Sequence, residues 1–168
     1  SGMNIMTNGT RASAIYIFNT NHNFTIKDSI LNGSRGGELY VESTVRGGEW
    51  NFTNVTRENK TPFNVSWDTK ANGTLNVHWY LDVNVTGSNL PIESANVTAW
   101  DKDSDFKFSE LTDAQGRITR KTLQEYSRNR TTITYYTLYT LNVTKSAYNE
   151  YFNNTVNSST FTRFSDIG

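Results

Sequence analysis

Apolar and polar residues alternate along most of this chain, and few windows show the 3.6-residue period of a helix. The longest alternating stretch runs from Leu75 to Val85, and its inward positions are Val77, Trp79, Leu81, Val83 and Val85. A second stretch, Thr131 to Lys145, places five apolar residues on one face: Ile133, Tyr135, Tyr139, Leu141 and Val143. Alternation of this kind is typical of strands with one solvated face, so the sequence predicts an all-β protein.

The second half of the chain also contains shorter strand patterns separated by turns. These strands are predicted at Ala95–Asp101, Phe106–Phe108, Arg117–Lys121 and Thr155–Phe164. The stretch Asp113-Ala114-Gln115-Gly116 has the composition of a turn. Six or seven strands within about 95 residues favour an antiparallel β-sandwich, which we place at residues 75–168.

The first half repeats itself, with apolar pairs in strand phase. One series begins at steps of 24 residues and consists of Ile15/Ile17, Leu39/Val41 and Phe63/Val65. A second series lies between its members, at steps of 26 and 25 residues, and consists of Phe24/Ile26, Trp50/Phe52 and Leu75/Val77. Two interleaved series at a near-constant period predict a coiled β-solenoid, in which each turn stacks on the one before. We assign residues 1–74 to such coils.

The stretch from Ala14 to Ser29, read as AIYIFNTNHNFTIKDS, resembles the rungs of right-handed parallel β-helix proteins, the fold shared by pectate lyases. The resemblance covers about residues 12–77, less than three coils. Coil ends in such a fold leave backbone groups unpaired, so another copy of the chain can extend them. The contact would then involve residues 3–18.

A second resemblance covers about residues 75–165. Gly87-Ser88-Asn89-Leu90-Pro91-Ile92-Glu93-Ser94-Ala95-Asn96-Val97-Thr98 followed by Thr112-Asp113-Ala114-Gln115-Gly116-Arg117 is similar to the carboxypeptidase regulatory-like repeat. This family implies a prealbumin-like or Ig-like β-sandwich used as a non-catalytic module in surface and adhesion proteins. The stretch Arg117–Arg130 departs from its pattern and leaves the strand number open. Coils followed by a sandwich resemble the order found in archaeal surface proteins.

The triplet Asn-x-Ser/Thr, the acceptor for N-linked glycan, occurs fourteen times among twenty-one asparagines. Chance would place a Ser or Thr two positions after only about five of them. Because these glycans are added outside the membrane, the excess indicates an extracellular or cell-surface glycoprotein. The turn and strand preferences of Asn and Thr are the alternative explanation. The acceptors are Asn8, Asn23, Asn32, Asn51, Asn54, Asn59, Asn64, Asn72, Asn84, Asn96, Asn129, Asn142, Asn153 and Asn157.

In seven of these triplets the middle residue is large and apolar. Strand neighbours point to opposite faces, so the asparagine should face water and the middle residue the core. The seven middle residues are Phe24, Phe52, Val55, Val65, Val85, Val97 and Val143. We expect Asn84, Asn96 and Asn142 to be modified for this reason.

Charge and cysteine content exclude several classes of function. Sixteen basic residues balance sixteen acidic ones without a basic stripe, so neither nucleic acid nor an anionic membrane is expected as a partner. No stretch is long and apolar enough for a membrane span. The absence of cysteine excludes thiolate catalysis and iron–sulfur clusters. Dense glycan acceptors without disulfides favour an archaeal surface protein.

One motif suggests a metal, although the expectation is that no cofactor is needed. Asp101, Asp103 and Asp105 have the alternate spacing of a calcium loop. Phe106 and Thr112 stand where an EF-hand needs Gly and Glu, so that motif fails. A looser structural calcium site remains open beside a polar hairpin loop.

An enzyme or lectin is the alternative from a different class. Residue types used by polysaccharide lyases occur at Lys27, Asp28, Arg35, Glu38, Glu42 and Arg46, but they form no column at the 24-residue step. Tyr80, Tyr126 and Tyr136 fall on solvent faces by alternation and could stack on sugars. We assign no catalytic residue. The sequence favours a structural or adhesive module whose partners are N-linked glycans, other surface proteins or copies of itself.

Overall fold

The computed structural model describes residues 4–6, 13–32, 37–57, 62–148 and 150–156. Strands are the regular elements there, and no helix in these ranges could span a membrane. The all-β prediction is confirmed. The fifteen strands are β1 Asn4–Met6, β2 Ile15–Ile17, β3 Phe24–Asn32, β4 Leu39–Val41, β5 Arg46–Thr56, β6 Val65–Trp67, β7 Asn72–Leu81, β8 Thr86–Gly87, β9 Leu90–Pro91, β10 Asn96–Trp100, β11 Phe106–Leu111, β12 Lys121–Arg128, β13 Ile133–Tyr135, β14 Tyr139–Thr144 and β15 Tyr151–Val156.

The chain forms two compact units. The first, called here the parallel unit, comprises Ser1–His78 and Tyr126–Thr134. The second, called here the antiparallel unit, comprises Trp79–Glu125 and Tyr135–Gly168. Residues 75–78 and 126–134, which the sequence analysis assigned to the sandwich, therefore fall in the parallel unit.

Strands of the parallel unit alternate between two sheets along the chain. One sheet has the order β2-β4-β6, and the other begins β1-β3-β5-β7 before β12 and β13. β3 pairs with β1 and β5, and β5 also pairs with β7; all three pairings are parallel. The two pairings in the smaller sheet are parallel as well. Parallel neighbours separated by about 25 residues are what the two interleaved apolar series require.

The register of the second apolar series is confirmed. Phe24 pairs with Trp50, which pairs with Leu75. The next inward position repeats this, since Phe52 pairs with both Ile26 and Val77. Both strand phase and repeat length were therefore correctly predicted in this sheet.

The first apolar series is correct for its first step and wrong for its second. Ile15 pairs with Leu39 as predicted, but Leu39 then pairs with Val65 instead of Phe63. The second step is 26 residues long because Phe63 precedes β6. Phe63 is nevertheless buried, and its ring meets Phe52 edge-on at 5.4 Å between centroids. Side-chain phase alone could not distinguish the two registers, which differ by one full period of two residues.

Two of the long strands contain a residue with positive φ at an equivalent position. Asp28 in β3 and Asn54 in β5 have φ values of 50° and 52°, in the left-handed region that Asp and Asn tolerate better than most residues. The Asn54 Nδ2 donates a hydrogen bond of 2.8 Å to Asp28 Oδ1. Beyond this point the inward alternation resets, so that Ser29 and Val55, which are paired, are buried.

The antiparallel unit contains a four-stranded sheet with the order β11-β10-β14-β15, in which all neighbours are antiparallel. Its inner face packs into an aliphatic core with β7 and β12 residues of the same unit. The core residues are Leu81, Val83, Val85, Ile92, Ala95, Val97, Ala99, Ile118, Leu123, Tyr139, Leu141, Val143 and Val156. This arrangement is sandwich-like.

The two long alternating stretches behave differently. All five inward residues predicted from Val77 to Val85 are buried, although β7 ends at Leu81. The Thr131–Lys145 stretch is two strands, because β13 and β14 belong to different sheets. Tyr139, Leu141 and Val143 are buried as predicted, whereas Tyr135 is exposed. Only contacts between strands, which alternation does not encode, separate these two segments.

The predicted turn at 113–116 is present. Asp113 Oδ1 accepts hydrogen bonds of 2.9 Å from the backbone N–H groups of Gln115 and Arg117. Gly116 has a φ of 75°, and a Cβ there would lie 2.3 Å from the Val85 carbonyl oxygen. The strand predicted at Arg117–Lys121 is reduced to an isolated bridge at Arg117, and β12 starts only at Lys121.

Candidate functional site

The glycan acceptors lie outside the core wherever they are described. Asn8, Asn59 and Asn157 lie outside the described residues, which leaves eleven acceptors, and none of these eleven is buried. Of the seven apolar middle residues, six are buried and Phe24 is half-buried. The predicted burial of the middle residue is confirmed in six of these triplets. Among the described acceptors, the exposed ones are Asn23, Asn64, Asn72 and Asn129.

Several acceptors of the parallel unit also hold neighbouring strands together. Asn23 Oδ1 accepts a hydrogen bond of 2.7 Å from the Glu49 N–H, and Asn51 Oδ1 accepts one of 3.2 Å from Asn76 Nδ2. Asn54 binds Asp28, as described above. The partners are 25 or 26 residues apart. Hydrogen bonds between neighbouring strands therefore give these asparagines a structural role that does not depend on glycan.

The three acceptors expected to face water are only half-buried, and two of them have an engaged side-chain nitrogen. Asn96 Nδ2 donates to Thr98 Oγ1 at 3.3 Å, and Asn142 Nδ2 donates to Glu150 Oε1 at 2.6 Å. Asn84 forms an isolated backbone bridge with Arg117. Strand phase alone therefore did not reveal how these carboxamides are used.

The loop between β12 and β13 carries a different arrangement of hydrogen bonds. Asn129 Oδ1 accepts hydrogen bonds from the N–H groups of Thr131 and Thr132, at 2.9 and 2.8 Å, and from the Thr131 hydroxyl at 3.2 Å. Asn153 in the antiparallel unit makes the equivalent pair of contacts with Thr155, at 2.9 and 2.8 Å. Both triplets thus close on themselves in an Asx turn.

An aromatic surface flanked by carboxylates covers the outer face of the three-stranded sheet; we call it the aromatic–acidic face, defined by Tyr16, Phe18, Tyr40, Glu42 and Asp68. Tyr16 and Phe18 are 54% and 59% exposed. The rings of Tyr16 and Tyr40 stack at 5.1 Å with an interplanar angle of 4°. Phe18 lies 5.5 Å from Tyr16. This pair of exposed rings was not among the aromatics selected from the sequence.

The carboxylates of this face hold its aromatic column in place. The Tyr40 hydroxyl donates to Asp68 Oδ1 at 2.6 Å, and Asp68 Oδ2 accepts the Ser43 N–H at 3.1 Å. The hydrogen bond to Asp68 raises the pKa of Tyr40 to about 12. The raised pKa reflects the preference of Asp68 for the protonated hydroxyl, which donates to it while the ring stacks on Tyr16.

The three tyrosines predicted to be exposed are not. Tyr126 is fully buried, and its hydroxyl oxygen accepts a hydrogen bond of 2.8 Å from the Phe63 N–H. Tyr80 is half-buried beneath Arg120, whose guanidinium lies 4.9 Å from the ring centroid and pairs with Asp82. Tyr136 packs against the core of the antiparallel unit. Alternation placed Tyr126 incorrectly because β12 has two consecutive buried residues, Glu125 and Tyr126.

The candidate calcium loop is closed by its own contacts. Asp101 Oδ1 accepts the N–H groups of Asp103 and Asp105, each at 3.0 Å, and Asp101 Oδ2 pairs with Lys107 Nζ at 2.6 Å. Burial alone would raise the pKa of Asp101, but Lys107 and the two N–H groups outweigh it and leave the pKa below its ordinary value. Asp103 and Asp105 are exposed, and in the described part of the chain no three acidic or histidine side chains are grouped for a metal ion.

Residues considered for polysaccharide cleavage are divided among separate contacts. Glu38 is buried, pairs with Arg57 at 3.2 Å and accepts the Asn64 N–H at 2.8 Å. Asp28 binds Asn54, and Arg46 donates to the Lys70 carbonyl oxygen at 2.9 Å. Arg35 lies outside the described residues. These contacts join adjacent strands and loops.

One carboxyl group is buried without a cation in the described part of the antiparallel unit. Glu125 Oε2 accepts a hydrogen bond of 2.6 Å from Trp79 Nε1. Burial raises the pKa of Glu125, and the bond from Trp79 offsets only part of that effect. Sequence pattern gave no signal of this pair, whose members are 46 residues apart.

Comparison with known protein families, with curated proteins and with solved structures finds no match.

Proposed function

We propose that this chain is a non-catalytic, N-glycosylated structural or adhesive module of an archaeal cell-surface or extracellular protein. The observation that carries the proposal is the orientation of the glycan acceptors: all eleven acceptor asparagines that the structure describes lie outside the core. A polar residue favoured only at turns would have no need of a Ser or Thr two positions later. The threefold excess of complete triplets and their outward orientation support the same conclusion.

The proposed architecture is a short parallel β-helix joined to a prealbumin-like or Ig-like sandwich of the carboxypeptidase regulatory-like kind. Support for the coils comes from contacts outside the strands. The Arg46 N–H donates to Asn21 Oδ1 and the Asn19 N–H donates to Thr44 Oγ1, both across 25 residues. Loops as well as strands therefore repeat at the coil spacing, as stacking of whole turns requires.

The proposed partners are N-linked glycans, other surface proteins and further copies of the chain. β2 is an end strand of its sheet, and backbone groups on such a strand can pair with another chain. Self-assembly through residues 3–18 would use this edge. Structural calcium is not part of the proposal, because Asp101 is already committed to Lys107 and two backbone N–H groups.

Peptide mass spectrometry of protein isolated from its native source tests the glycoprotein proposal. Asn23, Asn64, Asn72 and Asn129 should carry sugar that is lost on deglycosylation, because they are the exposed acceptors among those that the structure describes. Asn76 and Asn89 do not begin a triplet and serve as internal controls when modification is assigned to individual residues. Unmodified peptides at all fourteen acceptors would overturn the proposal.

Carbohydrate binding is the second candidate function, and the aromatic–acidic face is the observation that favours it. Exposed rings stack on the apolar faces of sugars, and neighbouring carboxylates accept hydrogen bonds from hydroxyl groups. Tyr16 and Phe18 supply such rings, and Glu42 lies on the same face. Non-catalytic sugar binding is compatible with an adhesive module.

Titration with a panel of soluble polysaccharides distinguishes this candidate from a purely structural role. Tyr16→Ala should weaken any binding by roughly fivefold or more, since stacking contributes about 1 kcal/mol. Phe106→Ala is the matched control, because Phe106 is also an exposed ring (62%) but lies in the antiparallel unit. Equal affinity of all three proteins, or no binding to any polysaccharide, would exclude this face as a sugar site.

A further inference from the structure

The loop between β12 and β13 presents one glycan acceptor in a distinctive geometry. Residues 129–132 connect the two strands, and the Asn129 N–H donates to the Thr132 carbonyl oxygen at 3.0 Å. The Asn129 carboxamide oxygen receives three further hydrogen bonds from Thr131 and Thr132. Its side-chain oxygen is therefore fixed by the loop, and its side chain is exposed.

The side-chain nitrogen of Asn129 differs from that of three acceptors that lie in strands. None of the described residues accepts a hydrogen bond from Asn129 Nδ2. By contrast, Asn54 Nδ2 donates to Asp28, Asn96 Nδ2 to Thr98 and Asn142 Nδ2 to Glu150. A nitrogen that must first break a hydrogen bond in a half-buried strand reacts more slowly than one in an exposed turn.

Asn153 forms an Asx turn like that of Asn129, but it lies in a paired strand and not in an exposed loop. It lies within β15 and pairs with Leu141 of β14, and it is half-buried. A transferase needs several residues around the acceptor to leave the protein surface, and loop tips permit this more easily than paired strands. The loop at 129–132 satisfies both conditions.

We propose that the folded protein is glycosylated at Asn129 in preference to the strand acceptors Asn54, Asn96 and Asn142, an inference that rests on the proposed function. In the reaction, a bond forms between Asn129 Nδ2 and the anomeric carbon of a lipid-linked sugar phosphate. The bond from that carbon to the phosphate oxygen breaks, and its electron pair leaves with the phosphate. One amide proton passes to a base of the transferase. Thr131 holds the carboxamide oxygen during this exchange.

The test uses the folded full chain, an oligosaccharyltransferase that accepts Asn-x-Thr and its lipid-linked oligosaccharide. Site occupancy is measured by peptide mass spectrometry at low conversion, beside a denatured sample. In the folded protein, Asn129 should be modified roughly two- to tenfold faster than Asn54, Asn96 or Asn142, the range expected from one broken hydrogen bond. In the denatured sample this preference should disappear.

A pair of variants tests the cause of the preference. Glu150→Ala releases Asn142 Nδ2 and should raise modification of Asn142 while leaving that of Asn129 unchanged. Asn129→Gln should remove the glycan at this position without increasing modification of Asn54, Asn96 or Asn142.

Two failures are distinguishable. If no acceptor is modified in either sample, the proposed function fails. If the denatured protein is modified but Asn129 does not lead in the folded protein, only the preference for Asn129 is overturned. An unchanged rate at Asn142 in Glu150→Ala would show that the engaged nitrogen is not what slows that acceptor, and would remove the stated basis of the preference.

Discussion

The loops of the two units are held by polar side chains in different ways. In the parallel unit, Asn23 and Asn21 each bind a partner one repeat away, 26 and 25 residues along the chain. In the antiparallel unit, Asp101 and Asp113 bind backbone groups only two to four residues away. The first unit therefore depends on a regular repeat length, whereas the second depends on well-formed turns beneath one buried face.

The hydrophobic cores of the two units also differ in the residues that they contain. Aromatic rings run across the repeats of the parallel unit, with Phe24 6.1 Å from Trp50 and Trp50 5.7 Å from Trp67. The sheet of the antiparallel unit buries smaller residues, among them Val97, Ala99 and Leu141. A substitution should thus disturb several strands in the parallel unit and a single site in the antiparallel unit.

The largest effect is expected at Trp79, the one large aromatic that binds a buried carboxyl in the antiparallel unit. Trp79→Ala should lower the free energy of unfolding by about 3–5 kcal/mol, because it leaves a cavity and removes the donor to Glu125. Tyr80→Ala beside it should cost about 1 kcal/mol, chiefly its contact with Arg120. Urea denaturation measures both, and equal losses would contradict the strand phase of β7.

Gly73 gives the corresponding test in the parallel unit. Its φ is 142°, and a Cβ would lie 2.7 Å from the buried Trp50 ring. Gly73→Ala should therefore cost about 2–3 kcal/mol through strain and displacement of that ring. Gly47→Ala, where a Cβ meets nothing within 4 Å, should change stability by less than about 0.5 kcal/mol. If thermal denaturation finds the two variants alike, Trp50 is not held tightly by its neighbours.

A smaller effect is expected from a buried hydroxyl in the antiparallel unit. Thr112 Oγ1 donates to the Ile92 carbonyl oxygen at 2.6 Å and accepts the Ala95 N–H at 2.9 Å. Thr112→Val keeps the shape but loses both bonds, so it should cost about 1–2 kcal/mol. Thr122→Val, at an exposed site, is the control and should be nearly neutral. If Thr112→Val is neutral, contacts other than this hydroxyl hold the segment from Ile92 to Ala95 in place.

The smallest effect concerns pH and Glu125. Because burial raises its pKa in the folded state, the folded protein binds this proton more tightly than the unfolded chain. Stability should therefore fall as pH rises from the ordinary value of 4.5 through the raised folded value. Glu125→Gln keeps an acceptor for Trp79 and should flatten this part of the profile. An identical pH profile in Glu125→Gln would assign the dependence to another group.

Side-chain phase was most successful in the glycan triplets. Val55, Val65, Val85, Val97 and Val143 are buried beside outward asparagines because adjacent strand residues must point to opposite faces. Repeat length was equally informative where apolar residues marked both ends, as in Phe24, Trp50 and Leu75.

Predictions failed where one pattern fits two arrangements. Phe63 and Val65 share a phase, so only backbone pairing shows that Val65, and not Phe63, is the neighbour of Leu39 in the three-stranded sheet. Tyr126 was placed in water because alternation cannot foresee two consecutive buried residues in β12. The aspartates at 101–105 have ligand spacing, but a lysine six residues beyond Asp101 occupies the carboxylate.

The sequence by itself determined that the protein is all-β, which residues face inward along most strands, and where the glycan acceptors can lie. These properties are local, since they follow from the alternation of neighbouring side chains. Tertiary structure decided which strands pair, where the inward alternation of β3 and β5 resets, and which group each carboxamide binds. Strand pairing in the parallel unit depends on contacts between residues some 25 positions apart, and the carboxamide contacts range from 2 residues in Asn96–Thr98 to 26 in Asn54–Asp28. Alternation within one strand does not specify the partners in such contacts, because it records only which side chains share a face.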